Sequence, residues 1–245
     1  MRPNMESVVD IKSLTQEKFA KILDHAILVP ETTIKDIVEV CQRAAKYNIS
    51  CVFVQPCFLP IAVEILSGTG VNAGSVVGFP QGANRSIVKA YEAEDIVKMG
   101  GQEIDMVLNI GKLLEGDRDY ALKDICMVRH AMGSDLTLKV ILETHYLSRE
   151  QIILACQIAE EAGANYVKTS TGFAPTGHTL ENLKLMRSTV SRQVGVKAAH
   201  GVRSLRIAIH AIHAGANRLG ATKTFEILDD FKSQDKSQIE QLLDE

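Results

Sequence analysis

Three charged side chains stand where β-structure should carry none. Lys168 closes the apolar pair Tyr166-Val167 and leads into Thr169-Ser170-Thr171-Gly172, Lys197 ends Gly195-Val196, and Asp105 sits inside Glu103-Ile104-Asp105-Met106-Val107. A buried ammonium is costly unless something compensates it, so Lys168 either reaches solvent or has its charge altered. Two ammonium groups held close disfavour each other's charge, and burial acts in the same direction. A lysine lowered in this way is partly neutral near pH 7, and its amine can add to a carbonyl to form a Schiff base. A nearby carboxylate such as Asp105 can relay the protons that dehydration and enamine chemistry require. The same three residues can also form a structural ion-pair cluster, and singly each is weak evidence for catalysis. Lys139 is read as structural, at the entrance of its strand.

Positioning such groups together requires parallel strands that end on one face. Short β-branched runs alternate with amphipathic stretches, the pattern of repeated strand–helix units. Candidate strands centre on residues 22–24, 51–54, 75–77, 104–107, 138–141, 166–168, 195–197 and 217–219, with helices over 33–47, 86–99, 118–132, 149–162, 180–190 and 204–214. Within 149–162, Ile152, Ile153, Cys156 and Ala159 share a face while Glu150, Gln157, Glu160 and Glu161 are polar. Gly100, Gly163 and Gly215 follow helical stretches where a left-handed cap would stop them. Eight such units in 245 residues predict a single-domain α/β protein, a TIM (β/α)8 barrel with an extra N-terminal helix. Residues 1–14 read as an N-terminal extension and 232–245 as a tail, either a short helix or frayed. An open doubly wound sheet is the second choice, disfavoured because no Gly-x-Gly-x-x-Gly follows the first strand.

A hydrophobic content of 46% is enough for a sizeable core, and a formal charge of −3 offers no field for a polyanion, so nucleic acid is not an expected partner. The first fifteen residues lack an apolar signal region, and no run approaches the roughly 20 apolar residues that span a bilayer. The expectation is a soluble cytoplasmic protein that does not engage membranes. Cys41, Cys51, Cys57, Cys126 and Cys156 include no Cys-x-x-Cys pair and read as reduced core cysteines. His210 and His213 have helical i, i+3 spacing but no third ligand nearby, and no metal is expected.

Four longer motifs, Val167-Lys-Thr-Ser-Thr-Gly-Phe173, Glu103-Ile-Asp-Met-Val-Leu-Asn-Ile-Gly111, Val76-Val-Gly-Phe-Pro-Gln-Gly-Ala-Asn84 and Lys139-Val-Ile-Leu-Glu-Thr144, together resemble the deoxyribose-phosphate aldolase family. The resemblance runs from about Leu23 to Leu228. It implies a class I aldolase that needs no metal or other cofactor and reversibly cleaves 2-deoxyribose 5-phosphate to acetaldehyde and glyceraldehyde 3-phosphate. It also implies that Lys168 is the Schiff-base nucleophile, Lys197 the lysine that lowers its pKa and Asp105 the proton relay. Relatives are often dimers, so a homodimer is expected.

The resemblance is less regular at the phosphate end. After Lys197-Ala198-Ala199 the family typically has two glycines, but here His200 replaces the first and Gly201 keeps the second. If the position needs positive φ, the side chain adds strain or bulk; alternatively the imidazole donates to phosphate, or it points to solvent. Gly220-Ala221-Thr222-Lys223-Thr224 opens a helix whose free N–H groups suit an anion, so Gly172, His200, Gly201, Ala221 and Thr222 form the expected substrate and phosphate set. His178, in the loop after Lys168, is a further candidate for substrate contact. Ala26 stands where relatives carry threonine, Val29 where they carry lysine, and Phe53 where cysteine is frequent. These changes leave open an altered acceptor or phosphate preference with the same chemistry, and a non-catalytic sugar-phosphate binder as a third reading.

Overall fold

The computed structural model describes residues 9–243. Its eight strands are β1 (Leu23–Ile27), β2 (Cys51–Val54), β3 (Asn72–Val77), β4 (Glu103–Val107), β5 (Thr137–Ile141), β6 (Tyr166–Lys168), β7 (Gly195–Ala199) and β8 (Arg218–Ala221). All neighbours are parallel, and β1 also pairs with β8 through Leu23 opposite Leu219 and His25 opposite Ala221, which closes the barrel. Closure excludes the open doubly wound sheet.

A short helix α1 (Gln16–Ala20) precedes the barrel. Then come α2 (Ile34–Tyr47), α3 (Leu59–Leu66), α4 (Ser86–Lys98), α5 (Ile110–Leu114), α6 (Arg118–Met132), α7 (Arg149–Glu161), α8 (Leu180–Thr189), α9 (Leu205–His213) and α10 (Thr224–Ser233). The tail forms α11 (Lys236–Gln241), started by a capping box between Asp235 and Gln238. Reciprocal boxes also start α2, from Thr33 and Asp36, and α7, from Ser148 and Gln151. The expected left-handed glycines are present after three helices, with φ of 87° at Gly100, 82° at Gly163 and 107° at Gly215.

Alternation along each strand sorts the side chains into two environments. Val52, Val54, Ile104, Met106, Val140, Val167, Val196 and Leu219 face outward and pack on helix residues such as Ile37, Ile125, Ile152 and Ile209, all buried in one apolar core. Each such side chain contributes about 1.5–3 kcal/mol when fully buried. The other face of the same strands fills the barrel interior with Asp24, Phe53, Glu103, Asp105, Lys139, Tyr166, Lys168, Lys197 and Arg218, all buried. The apolar shell therefore carries the stability of the fold, while the interior is polar.

Several expectations need correction. Lys139 is not at a strand entrance but at the centre of β5, and Lys197 lies mid-strand in β7, as Asp105 does in β4, rather than at its end. Inward positions two residues apart put a charge in the middle layer as readily as at the rim. Cys57 and Cys126 are exposed, so only Cys41, Cys51 and Cys156 are core cysteines. Ile153 is half-buried, and Ala155 and Ile158 complete the inner face of α7. Among the described residues no helix is long and apolar enough to cross a membrane.

Candidate active site

Lys168 is the last residue of β6 and lies directly opposite Lys197 across the β6–β7 pair. Both ammonium groups reach one carboxylate oxygen: Asp105 Oδ2 accepts from Lys168 Nζ at 2.7 Å and from Lys197 Nζ at 2.8 Å. Solvent exposure does not account for Lys168, which is only 4% exposed. Burial pushes its amine down from 10.5 to about 8; the Asp105 carboxylate opposes this shift, while Lys197 and then Lys139 add to it. Lys197 does depress its neighbour, but burial contributes more. Burial alone would raise Asp105, yet Lys139 first, then Lys168 and Lys197, hold its carboxyl well below the usual range.

The three expected residues belong to a larger network. Lys197 Nζ also lies 2.6 Å from Asp24 Oδ2, and Arg218 Nε donates to Asp24 Oδ1 at 2.7 Å. The guanidinium continues to Glu103 at 2.8 and 2.9 Å. Lys139 donates to Glu103 and lies 3.1 Å from Asp105 Oδ1 and 3.8 Å from Asp24 Oδ2. Arg218 and Lys139 outweigh burial at Glu103 and lower its carboxyl from 4.5 to about 2. The face of Phe53 lies 4.3 Å from both Lys139 Nζ and Lys197 Nζ, a cation–π arrangement. Asp24, Cys51 and Glu103 also bring donor atoms within 4.8 Å of one another, but both carboxylates already hold Arg218, so a metal ion would have to displace the guanidinium.

Above Lys168 and Lys197 opens a cavity of about 210 Å³ at the C-terminal ends of β1, β6, β7 and β8. Its wall includes the whole expected substrate set, Gly172, His200, Gly201, Ala221 and Thr222, together with Ala26, Phe53, Thr171 and Arg203. Asp105 does not line it; its Oδ2 is held by the two lysines that do. His200 has φ 62°, so the position is left-handed and a side chain costs roughly 1 kcal/mol there relative to glycine. Histidine is among the residues that tolerate this region.

Two contacts fix the loops around the cavity. The carbonyl of His200 accepts from His178 N at 3.2 Å and sits 2.9 Å from His178 Nδ1, and a Cβ on Gly177 would come within 1.9 Å of it. Only glycine permits that approach. On the other side, the buried carboxylate of Glu143 accepts from the backbone N–H and hydroxyl of Thr171, which tethers the Lys168 loop to the end of β5. Sequence reasoning missed Asp24, Glu103, Arg218 and the central role of Lys139. Period-two alternation was the available signal, since it places Glu103 and Asp105 on one face of β4.

Comparison with known proteins gives the same direction. The model for the DeoC/LacD family aldolases matches residues 9–223. A deoxyribose-phosphate aldolase of Caldanaerobacter subterraneus subsp. tengcongensis is 49% identical over 217 residues, 88% of this chain and 94% of the relative. The enzyme of that name from Clostridium perfringens is 43% identical over 214 residues, 87% of this chain and 96% of the relative. Among solved structures, the tetrameric deoxyribose phosphate aldolase of Aeropyrum pernix superposes with a TM-score of 0.82 at 29% identity, covering 89% of this chain and 93% of that one. With a closed eight-stranded barrel, a lysine-rich interior open at its C-terminal face and a family match over most of its length, this chain belongs to the DeoC/LacD family of aldolases.

Proposed function

We propose that this aldolase cleaves 2-deoxyribose 5-phosphate to acetaldehyde and glyceraldehyde 3-phosphate through a Schiff base on Lys168. The observation that carries this reading is the pairing of the four interior cations. Arg218 and Lys197 each hold two carboxylates and Lys139 lies within 4.0 Å of three, whereas Lys168 holds only Asp105 and opens onto the cavity. The amine that is least compensated and most accessible is the one that gives up its proton. With its value near 8, about one molecule in ten carries it neutral at pH 7.

The neutral Lys168 amine adds to the C1 aldehyde of the open-chain sugar, and loss of water gives an iminium. Removal of the C3 hydroxyl proton then breaks the C2–C3 bond, releasing glyceraldehyde 3-phosphate while the electron pair rests in the enamine. Protonation of the enamine and hydrolysis release acetaldehyde and restore the amine. In this reading Lys197, at the cavity floor, exchanges protons with the reacting groups, and Asp105 links it to Lys168 through Oδ2. The phosphate lies against Gly172, Gly201, Ala221 and Thr222, with His200 as a further donor. The reading also includes homodimer formation, which sedimentation equilibrium checks; a monomer would overturn that part and leave the chemistry untouched.

The direct assay compares cleavage of 2-deoxyribose 5-phosphate with that of 2-deoxyribose. Two charge-assisted hydrogen bonds to phosphate, at about 1.5 kcal/mol each, predict kcat/KM at least about 100-fold higher for the phosphorylated sugar. Lys168→Ala should abolish both activities. Absence of cleavage of either sugar would overturn the proposal. Ala26 and Phe53 in the cavity wall favour a second reading, the same chemistry with another acceptor, which equal efficiency on the two sugars would select.

A further inference from the structure

The barrel interior holds more positive than negative charge. Its ion-pair network contains four cations, Lys139, Lys168, Lys197 and Arg218, against three carboxylates, Asp24, Glu103 and Asp105. We propose that Lys139 is a positioning residue for the reaction: its buried ammonium supplies the surplus charge that makes Lys168 surrender its proton. This rests on the reading of Lys168 as the nucleophile.

The four cations are not equivalent. Arg218 stays protonated at any physiological pH. Lys197 lines the cavity beside Lys168. Lys139 is 0% exposed, does not line the cavity, and touches Glu103 and Asp105 below it, so it cannot meet substrate. Lys197 holds two carboxylates, Asp24 and Asp105, and the face of Phe53 packs on Lys139, whose amine, against burial, the three carboxylates around it raise. A proton is therefore lost most readily at Lys168. Lys139 acts on that amine across Asp105, whose two oxygens are divided between them: Oδ1 toward Lys139 and Oδ2 toward Lys168.

The other charges around Lys168 do not remove the surplus. Glu143, beyond β5, is engaged by Thr171 and makes no ion pair among the described residues. His200 and Arg203, after β7, add no negative charge to the cavity wall. Tyr166 and Cys51, on the barrel floor, are held in their neutral forms because burial raises both. Burial disfavours any unbalanced charge, and the interior approaches neutrality by leaving one lysine unprotonated. Lys139→Met would balance three cations against three carboxylates and let Lys168 keep its proton.

The test uses the full chain and acetaldehyde, follows cyanoborohydride trapping on Lys168 by peptide mass mapping across pH, and reads the midpoint of adduct formation. Wild type should give a midpoint near pH 8. Lys139→Met should raise it by about 1.5 pH units, a roughly thirtyfold loss of trapping rate at pH 7, as expected for removing a like charge within about 8 Å at an effective dielectric near 20. Lys139→Arg, which keeps the charge, should leave it in place. Glu103→Gln enlarges the surplus and should lower the midpoint by roughly 1 unit; this variant decides the matter if Lys139→Met does not fold. A merely structural lysine would change stability without moving the midpoint. An unchanged midpoint in folded Lys139→Met, or no downward shift in Glu103→Gln, overturns the inference. No adduct on Lys168 in wild type would instead overturn the reaction proposed above.

Discussion

A lowered amine at Lys168 has a cost that can be measured apart from activity. Its value falls from 10.5 to about 8 in the folded chain, so between those pH values the folded state holds fewer protons than the unfolded one. Stability therefore rises as pH climbs from 8 to 10.5, and the penalty is fully felt below 8. Lys168→Met removes the penalty and leaves three cations opposite three carboxylates. We expect it to abolish activity and to raise unfolding stability at pH 7 by about 1–3 kcal/mol, checked by denaturant melts of both proteins. Equal or lower stability would show that Lys168 is an ordinary paired cation. At this scale the sequence was legible where a charge interrupted an apolar strand, as at Asp105, Lys168 and Lys197. Lys139 was misjudged because strand ends are uncertain by a residue or two, and that margin separates a rim position from the centre of the barrel. His200 posed a different problem, since only the backbone shows that its position is left-handed.

The helical ring is held by more than its apolar stripe. Lys89 of α4 reaches Asp124 of α6 at 2.6 Å and the carbonyl of Val107 at 2.9 Å, with both charged side chains fully buried. Removing one partner leaves a buried charge unpaired, whereas removing both does not. Lys89→Met should lower stability by about 3–5 kcal/mol, and adding Asp124→Leu should recover most of it; guanidinium melts of the single and double variants measure both effects. If the single variant lost under 1 kcal/mol, the pair would not be what joins these helices. Helix positions were readable from apolar spacing and the glycines that stop them, and strands from β-branched runs. The Lys89–Asp124 link was not, because two charges 35 residues apart on separate helices carry no periodic mark. The approach of Gly177 to His200 was hidden for the same reason, being a contact between two loops.

Across the molecule, eight repeated units predicted the closed barrel, and closure brings Asp24 and Arg218, from its first and last strands, within 2.7 Å of each other. Their partnership depends on barrel closure, which no local segment encodes, so the network below the cavity emerged only with the fold. The fold thus separates two tasks: an apolar shell between strands and helices holds the structure, and a charged interior, short of one carboxylate, sets the chemistry. The central claim is that this interior concentrates its reactivity on one amine. Incubation with acetaldehyde, reduction with borohydride and peptide mapping of every lysine test it most directly. The account predicts a single two-carbon adduct, on Lys168 in the peptide around Thr169-Ser170-Thr171. An adduct on Lys197 or Lys139 instead, or none on any lysine, would contradict it.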